Sequence, residues 1–167
     1  MNKKYLNILL GFIFFVLTYF ITHPFSNRPS SNNVLSGTSS GCDASLWKHI
    51  YHPQRLQVLD TCKTVTGIIQ SVKAEPDGDY HIRLRLDSQF ANLINQENID
   101  KQHGDLVLEP ICEHPVTQED AIAACSGFAG NITSPTVGSH VQVIGSYVLD
   151  TEHGWMEIHP VTSMLAN

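Results

Sequence analysis

Residues 64–86, TVTGIIQSVKAEPDGDYHIRLRL, decide the fold class. The right half, Tyr80 to Leu86, alternates strictly, with Tyr80, Ile82, Leu84 and Leu86 on one face and His81, Arg83 and Arg85 on the other. That period of two describes a strand with one buried face. The left half, Thr64 to Lys73, carries Val65, Ile68, Ile69 and Val72 around Gly67, where a bend or bulge fits a strand interior. Between them AEPDGD, residues 74–79, is a turn sequence. The pair therefore reads as a two-stranded hairpin.

Working outward, the same signals recur. SQFANLIN, residues 88–95, suits a short helix capped by Asp87, with polar loop to Gly104. Asp105 to Cys112 is a third strand that Pro110 places at a strand end or sheet edge. Thr117 followed three residues later by Asp120 has the form of a capping box, so a helix is expected from there to about Cys125. After a loop over 127–138, which contains the glycosylation pattern Asn131-Ile132-Thr133, His140 to Leu149 forms a fourth strand and Trp155 to Val161 a fifth. Upstream, SLWKHIYHPQRLQVL places Trp47, Ile50, Tyr51, Leu56 and Val58 where they can pack on a core, with Pro53 stopping any long helix. The class is all-β with minor α. Five strands with a helix between the third and fourth is the order of an OB-like β-barrel, with a β-sandwich or another open barrel as the alternative.

The ends of the chain differ in character. Residues 5–22 are almost unbroken apolar and aromatic and as a helix would reach about 27 Å, close to the hydrocarbon thickness of a bilayer. Lys3 and Lys4 precede them, so residues 1–23 are expected to be a membrane anchor with the N-terminus in the cytoplasm, or else a signal segment, although no small-x-small cleavage site follows. Residues 24–41, rich in Ser, Asn, Pro and Gly, form a flexible linker. The domain is residues 42–167, outside the membrane. Three of the ten basic residues, Lys3, Lys4 and Arg28, precede it, whereas all sixteen acidic residues lie from Asp43 onward. A domain so acidic repels polyanions, which disfavours nucleic acid as a partner. The four cysteines are even in number and contain no Cys-x-x-Cys, which reads as disulfides rather than a zinc ribbon. Of three pairings, Cys42–Cys62 and Cys112–Cys125 close the shortest loops.

The blocks TVTGIIQSVKAEPDGDYHIRLRLD, QHGDLVLEPIC and VIGSYVLDTEHGWMEIHPV together resemble a family of uncharacterised, exported or membrane-anchored small proteins of archaea and bacteria. The resemblance covers about residues 62–163, and implies a small OB-like β-barrel without supplying catalytic residues. A fainter similarity, to staphylococcal-nuclease-like barrels, rests on Asp77-Gly78-Asp79, Arg83, Arg85 and Asp87. DSQF follows Leu86 where that family carries further active-site residues.

In an OB barrel the loops joining strands one to two and four to five flank one binding face. Here they bring Glu75, Asp77, Asp79 and His81 opposite Asp150, Glu152, His153 and Trp155, a candidate ligand site for a cation, a basic peptide or a hydroxyl-rich small molecule. On the fifth strand Trp155, Glu157 and His159 share a face. Glu157 and His159, with His81 or His153, make a candidate His/carboxylate set for a divalent metal ion, although no local spacing matches an established zinc motif. The structural alternative has Trp155 closing the barrel end, Glu157 paired with Arg83 or Arg85, and His159 ordering the turn before Pro160. Three functions follow: a membrane-anchored extracytoplasmic binding module, a metal-dependent hydrolase of phosphodiesterase or nuclease type, and nucleic-acid binding. The remaining histidines, His23, His49, His52, His103, His114 and His140, carry no expected role.

Overall fold

The computed structural model describes residues 41–166. The expected anchor and most of the linker lie outside the described residues. Among the described residues no helix is long and apolar enough to cross a membrane.

Five strands, β1 (Leu56–Ala74), β2 (Tyr80–Leu86), β3 (Leu106–Leu108), β4 (His140–Asp150) and β5 (Met156–Ala166), carry the fold. They close into a ring in the order β1-β2-β3-β5-β4. All neighbours are antiparallel except β3 and β5, which run parallel through Val107 with Glu157 and Leu108 with Ile158. The long β1 makes closure possible. Its first two-thirds pair with β4 and its last third with β2, and Gly67 is bonded to both. A Cβ at Gly67 would lie 2.3 Å from the Arg85 carbonyl oxygen, so the crossing point requires the bare backbone.

The expected hairpin is present, and its inward face seats Ile82 and Leu84 against Val65, Ile69, Leu106, Leu108, Val143 and Ile158 in the ring interior. β1 begins eight residues earlier than alternation indicates, because Leu56 to Lys63 pair only with β4 and do so through two register shifts that break the period of two. β5 continues five residues past Val161. Pro160, joined to His159 by a cis peptide, stands beside the register shift opposite Gly145 to Tyr147, where a missing N–H costs no ladder bond. β3 is shorter than expected: after Leu108 the chain bonds through Glu109 N to Ile158 O (3.0 Å) and Val161 N to Glu109 O (3.2 Å), but Pro110 ends the ladder.

The helices correct the expectation. The segment after Thr117 makes a single 3₁₀ turn, Glu119–Ala121, followed by irregular turns. Thr117 is not a cap: its amide and hydroxyl both bond the carbonyl of Pro76, drawing the segment across the 74–79 turn. The sole α-helix among the described residues, α1 (Gln96–Lys101), lies instead between β2 and β3, in the stretch expected to be loop. Ser88–Leu93, expected as a short helix, is 3₁₀.

Both disulfides form with the expected pairing, Cys42–Cys62 and Cys112–Cys125, as suits an oxidising compartment. A second apolar cluster, Ile50, Leu56, Ile111 and Val148 with Leu46, Trp47 and Phe128, seats the N-terminal 3₁₀ segment (Ala44–His49) outside the ring. Val58 does not join it and stays exposed.

Candidate functional site

Two turns and the start of β2 bound a cleft of about 740 Å³. The first turn is narrow because Glu75 N bonds Asp79 O (2.9 Å), Gly78 N bonds Glu75 O (3.1 Å), and Gly78 takes a φ of 100°. It holds Glu75, Asp77 and Asp79 at the rim and floor. The second turn is built on Asp150, whose Oδ1 accepts the amides of Glu152 (2.8 Å) and His153 (3.2 Å) and whose Oδ2 accepts from His153 Nδ1 (2.8 Å). His153 then lies flat on Trp155, ring centres 4.4 Å apart and 3° from parallel. Trp155 meets the His81 ring edge-on at 5.9 Å.

The two loops expected to face each other therefore do so. Glu75, Asp77, Asp79, His81, Glu152, His153 and Trp155 all line the cleft. Asp150 does not. It is fully buried beneath the second turn, with Arg55 Nε 3.2 Å away, and its carboxylate is consumed in shaping that turn. Trp155 borders the open cleft rather than closing the ring.

Below the floor lies a buried polar group that joins the metal candidates through a residue absent from them. Glu109 Oε1 is hydrogen-bonded to His81 Nδ1 at 3.2 Å, and its Oε2 forms an ion pair with His159 Nδ1 at the same distance. His159 Nδ1 also lies 3.2 Å from Glu157 Oε2, and the Glu157 carboxylate accepts from the Trp155 indole. Glu157 and His159 are fully enclosed. The set His81, Glu157 and His159 is not brought to one point. Among the described residues the groups whose ligand atoms lie within 4.8 Å of one another are Asp79, Glu109, His159 and Asp150, His153, Glu157, together with Asp79 and the Cys112–Cys125 pair, whose sulfurs the disulfide occupies.

Electrostatics follow from this packing. Burial drives the Asp79 carboxyl up, against the opposing pull of His159, to about 7. For His159, burial favours the neutral ring, but the bond to Glu157 and the charges of Glu109, Glu157 and Asp79 outweigh it and raise the imidazole to about 9. His81 is raised too: burial opposes the charge, but Glu109 and the Gln102 oxygen, 3.1 Å from Nε2, favour it. Glu157 is raised by burial and by the Glu109 charge. Glu109, despite burial, is lowered by His81 and His159.

The arginines go elsewhere than expected. Arg83 and Arg85 both bond the buried Asp105, at 3.3 and 2.6 Å, not Glu157. Arg85 and Asp87 lie outside the cleft lining, and Asp87 bonds Thr66 and His140. Of the nuclease-type grouping, Asp77, Asp79 and Arg83 therefore share the cleft, and Arg85 and Asp87 stand apart from it. His52 and His103, given no role from sequence, do line the cleft, and both have positive φ, 55° and 59°. Glu109 and Gln102 are the important omissions. The only signal for Glu109 was an acidic residue inside the apolar run LVLEPIC; Gln102, in a polar loop, gave none.

No family model matches the chain, and no curated protein matches it.

Proposed function

We propose that this chain is an extracytoplasmic binding module, carried by its N-terminal segment at a membrane and of OB-like topology, whose cleft takes a neutral, hydroxyl-rich ligand of the oligosaccharide class. The strand order β1-β2-β3-β5-β4 and the parallel pairing of β3 with β5 support the OB-like reading, in which the first and fourth inter-strand loops border the ligand. The observation that carries the ligand class is the state of the cleft's cations. Arg55, Lys73, Arg83 and Lys101 are the Lys and Arg side chains that line it, and each already faces a carboxylate: Asp150 and Glu152, Glu75, Asp105, and Glu97 respectively.

A polyanion gains affinity by being neutralised by unengaged Lys and Arg, and here it would have to displace five internal carboxylates from four cations. A neutral polyol meets no such cost. It needs hydrogen-bonding groups of both senses and a flat surface for its C–H face, and the cleft supplies Asp77, Glu152, Gln118, Tyr51 and the stacked His153–Trp155 pair. Nuclease and nucleic-acid readings fare worse on the same grounds.

Tryptophan fluorescence of a Trp47→Phe chain, in which Trp155 is the one indole, tests this against neutral oligosaccharides, hexalysine and an oligonucleotide. Saturable change with a neutral oligosaccharide, little affected by salt and weakened about tenfold or more by His153→Ala, is expected. Saturation by the oligonucleotide or hexalysine alone sinks the reading, as does silence with every sugar.

A further inference from the structure

The floor of the cleft has a second capacity. Asp79, Glu109 and His159 come from three elements, the turn before β2, the chain after β3, and β5, and each offers one ligand atom, all within 4.8 Å of one another. All three are buried, His159 to 1% exposure. Its Nε2 is inaccessible to solvent and has no hydrogen-bond partner. An imidazole nitrogen enclosed without a partner is costly unless something coordinates it or it is turned to that purpose.

The rest of the His159 ring is arranged as a metal-bound imidazole is. Its Nδ1 bonds the Glu157 carboxylate at 3.2 Å, the outer-shell contact that keeps an N–H on Nδ1, so that Nε2 is the nitrogen that can give up its proton to an ion. Asp79 is held by its other oxygen, since Oδ1 accepts from Cys112 N at 2.7 Å. Asp79 and Glu109 line the cleft while His159 stands behind them, so an ion could enter from solvent and keep an open position toward it.

We propose that Asp79, Glu109 and His159 form a site for a divalent transition-metal ion of the zinc type at the floor of the cleft. One nitrogen and two carboxylates suit zinc, whereas calcium wants six to eight oxygens. Binding would draw the three groups together by roughly an ångström, since ligands at about 2.1 Å from one ion stand about 3.5 Å apart. The alternative group, Asp150, His153 and Glu157, already holds a cation: Arg55 Nε lies 3.2 Å from Asp150 Oδ2, and a metal ion there would face its positive charge. The inference is independent of what fills the cleft above.

The test is calorimetric titration of the full chain, stripped with chelator and held in detergent, with zinc chloride at pH 6 and pH 8. The expected result is one saturable site per chain that tightens about tenfold or more at the higher pH, because the ligands must shed protons. His159→Gln and Asp79→Asn should each weaken it at least about tenfold. Cobalt(II) added to the unaltered chain gives a reading free of folding effects: paramagnetic shifts should centre on residues 79, 109 and 159. Absence of saturable zinc binding, undiminished binding in both variants, or cobalt shifts centred elsewhere would overturn the site.

Discussion

His159 is favoured in its charged form by its bond to Glu157 and by the Glu109, Glu157 and Asp79 carboxyls around it, and this makes one proton a contributor to folding. Its pKa rises from 6.5 in the open chain to about 9 when folded. The stabilisation is therefore complete below pH 6.5 and disappears as pH climbs through 9. Asp79 acts in the same sense at lower pH: raised from 3.8 to about 7, it favours the folded state most below 3.8 and loses that contribution as pH rises through 7. Glu109, lowered in the fold, opposes both by favouring the folded state once pH exceeds its ordinary value. With chelator present, urea denaturation should show the advantage of the natural chain over His159→Gln shrinking by about 1–3 kcal/mol between pH 6.5 and 9.5. A constant or growing advantage would mean that the charge is not what His159 contributes. This residue was visible in the sequence as a ligand-type side chain on a shared face with Glu157. Its partner Glu109 was not, because a lone carboxylate in an apolar strand gives no clue that two histidines from distant strands converge on it.

At the scale of elements, β2 and the turns around it were legible while α1 was not, and the reason lies in how each is held. β2 buries Ile82 and Leu84, so its hydrophobic period of two is written into the chain. α1 has no such stripe: in QENIDK the one apolar residue, Ile99, is half exposed. What anchors it is the fully buried Asn98, whose side chain caps the helix through Asn95 N and donates to the carbonyls of Asp105 and Met156 while accepting from Met156 N at 2.8 Å. A polar anchor leaves no periodicity to read. Asn98→Ala should accordingly cost about 3 kcal/mol or more in a denaturant titration, since it strands several enclosed backbone groups at once. A loss under about 1 kcal/mol would show that water replaces the amide without penalty. The expected helix after Thr117 failed for the converse reason. Its capping signal was genuine in composition, but Thr117 and Gln118 donate their amides to Pro76 in the hairpin turn, a partner no local pattern reveals.

For the whole molecule, the ring and the disulfides divide the work of holding the cleft open. The ring fixes where β2 and β5 stand, and the Cys112–Cys125 bond ties down the irregular segment that backs the 74–79 turn through Val116, His114 and Pro76. Replacing both Cys112 and Cys125 by Ser should lower stability by roughly 3 kcal/mol on the chain-entropy account, and should speed hydrogen exchange at residues 75–79. The same change at Cys42 and Cys62 should cost a similar amount but leave exchange at that turn unaltered. Equal acceleration in both variants would argue against separate roles. The disulfide pairing followed from loop length alone, whereas the cleft needed the ring, which pairs β1 with β4 and places β3 beside β5 across large separations in sequence.

The Cys42–Cys62 bond joins the first described residues of the domain to the middle of β1, six residues beyond its start. Tension arriving along the chain from the N-terminal side thus passes through a covalent bond into the centre of the longest strand, bypassing residues 43–61. The 3₁₀ segment and the outer end of β1 lie inside that covalently closed loop and carry none of the load.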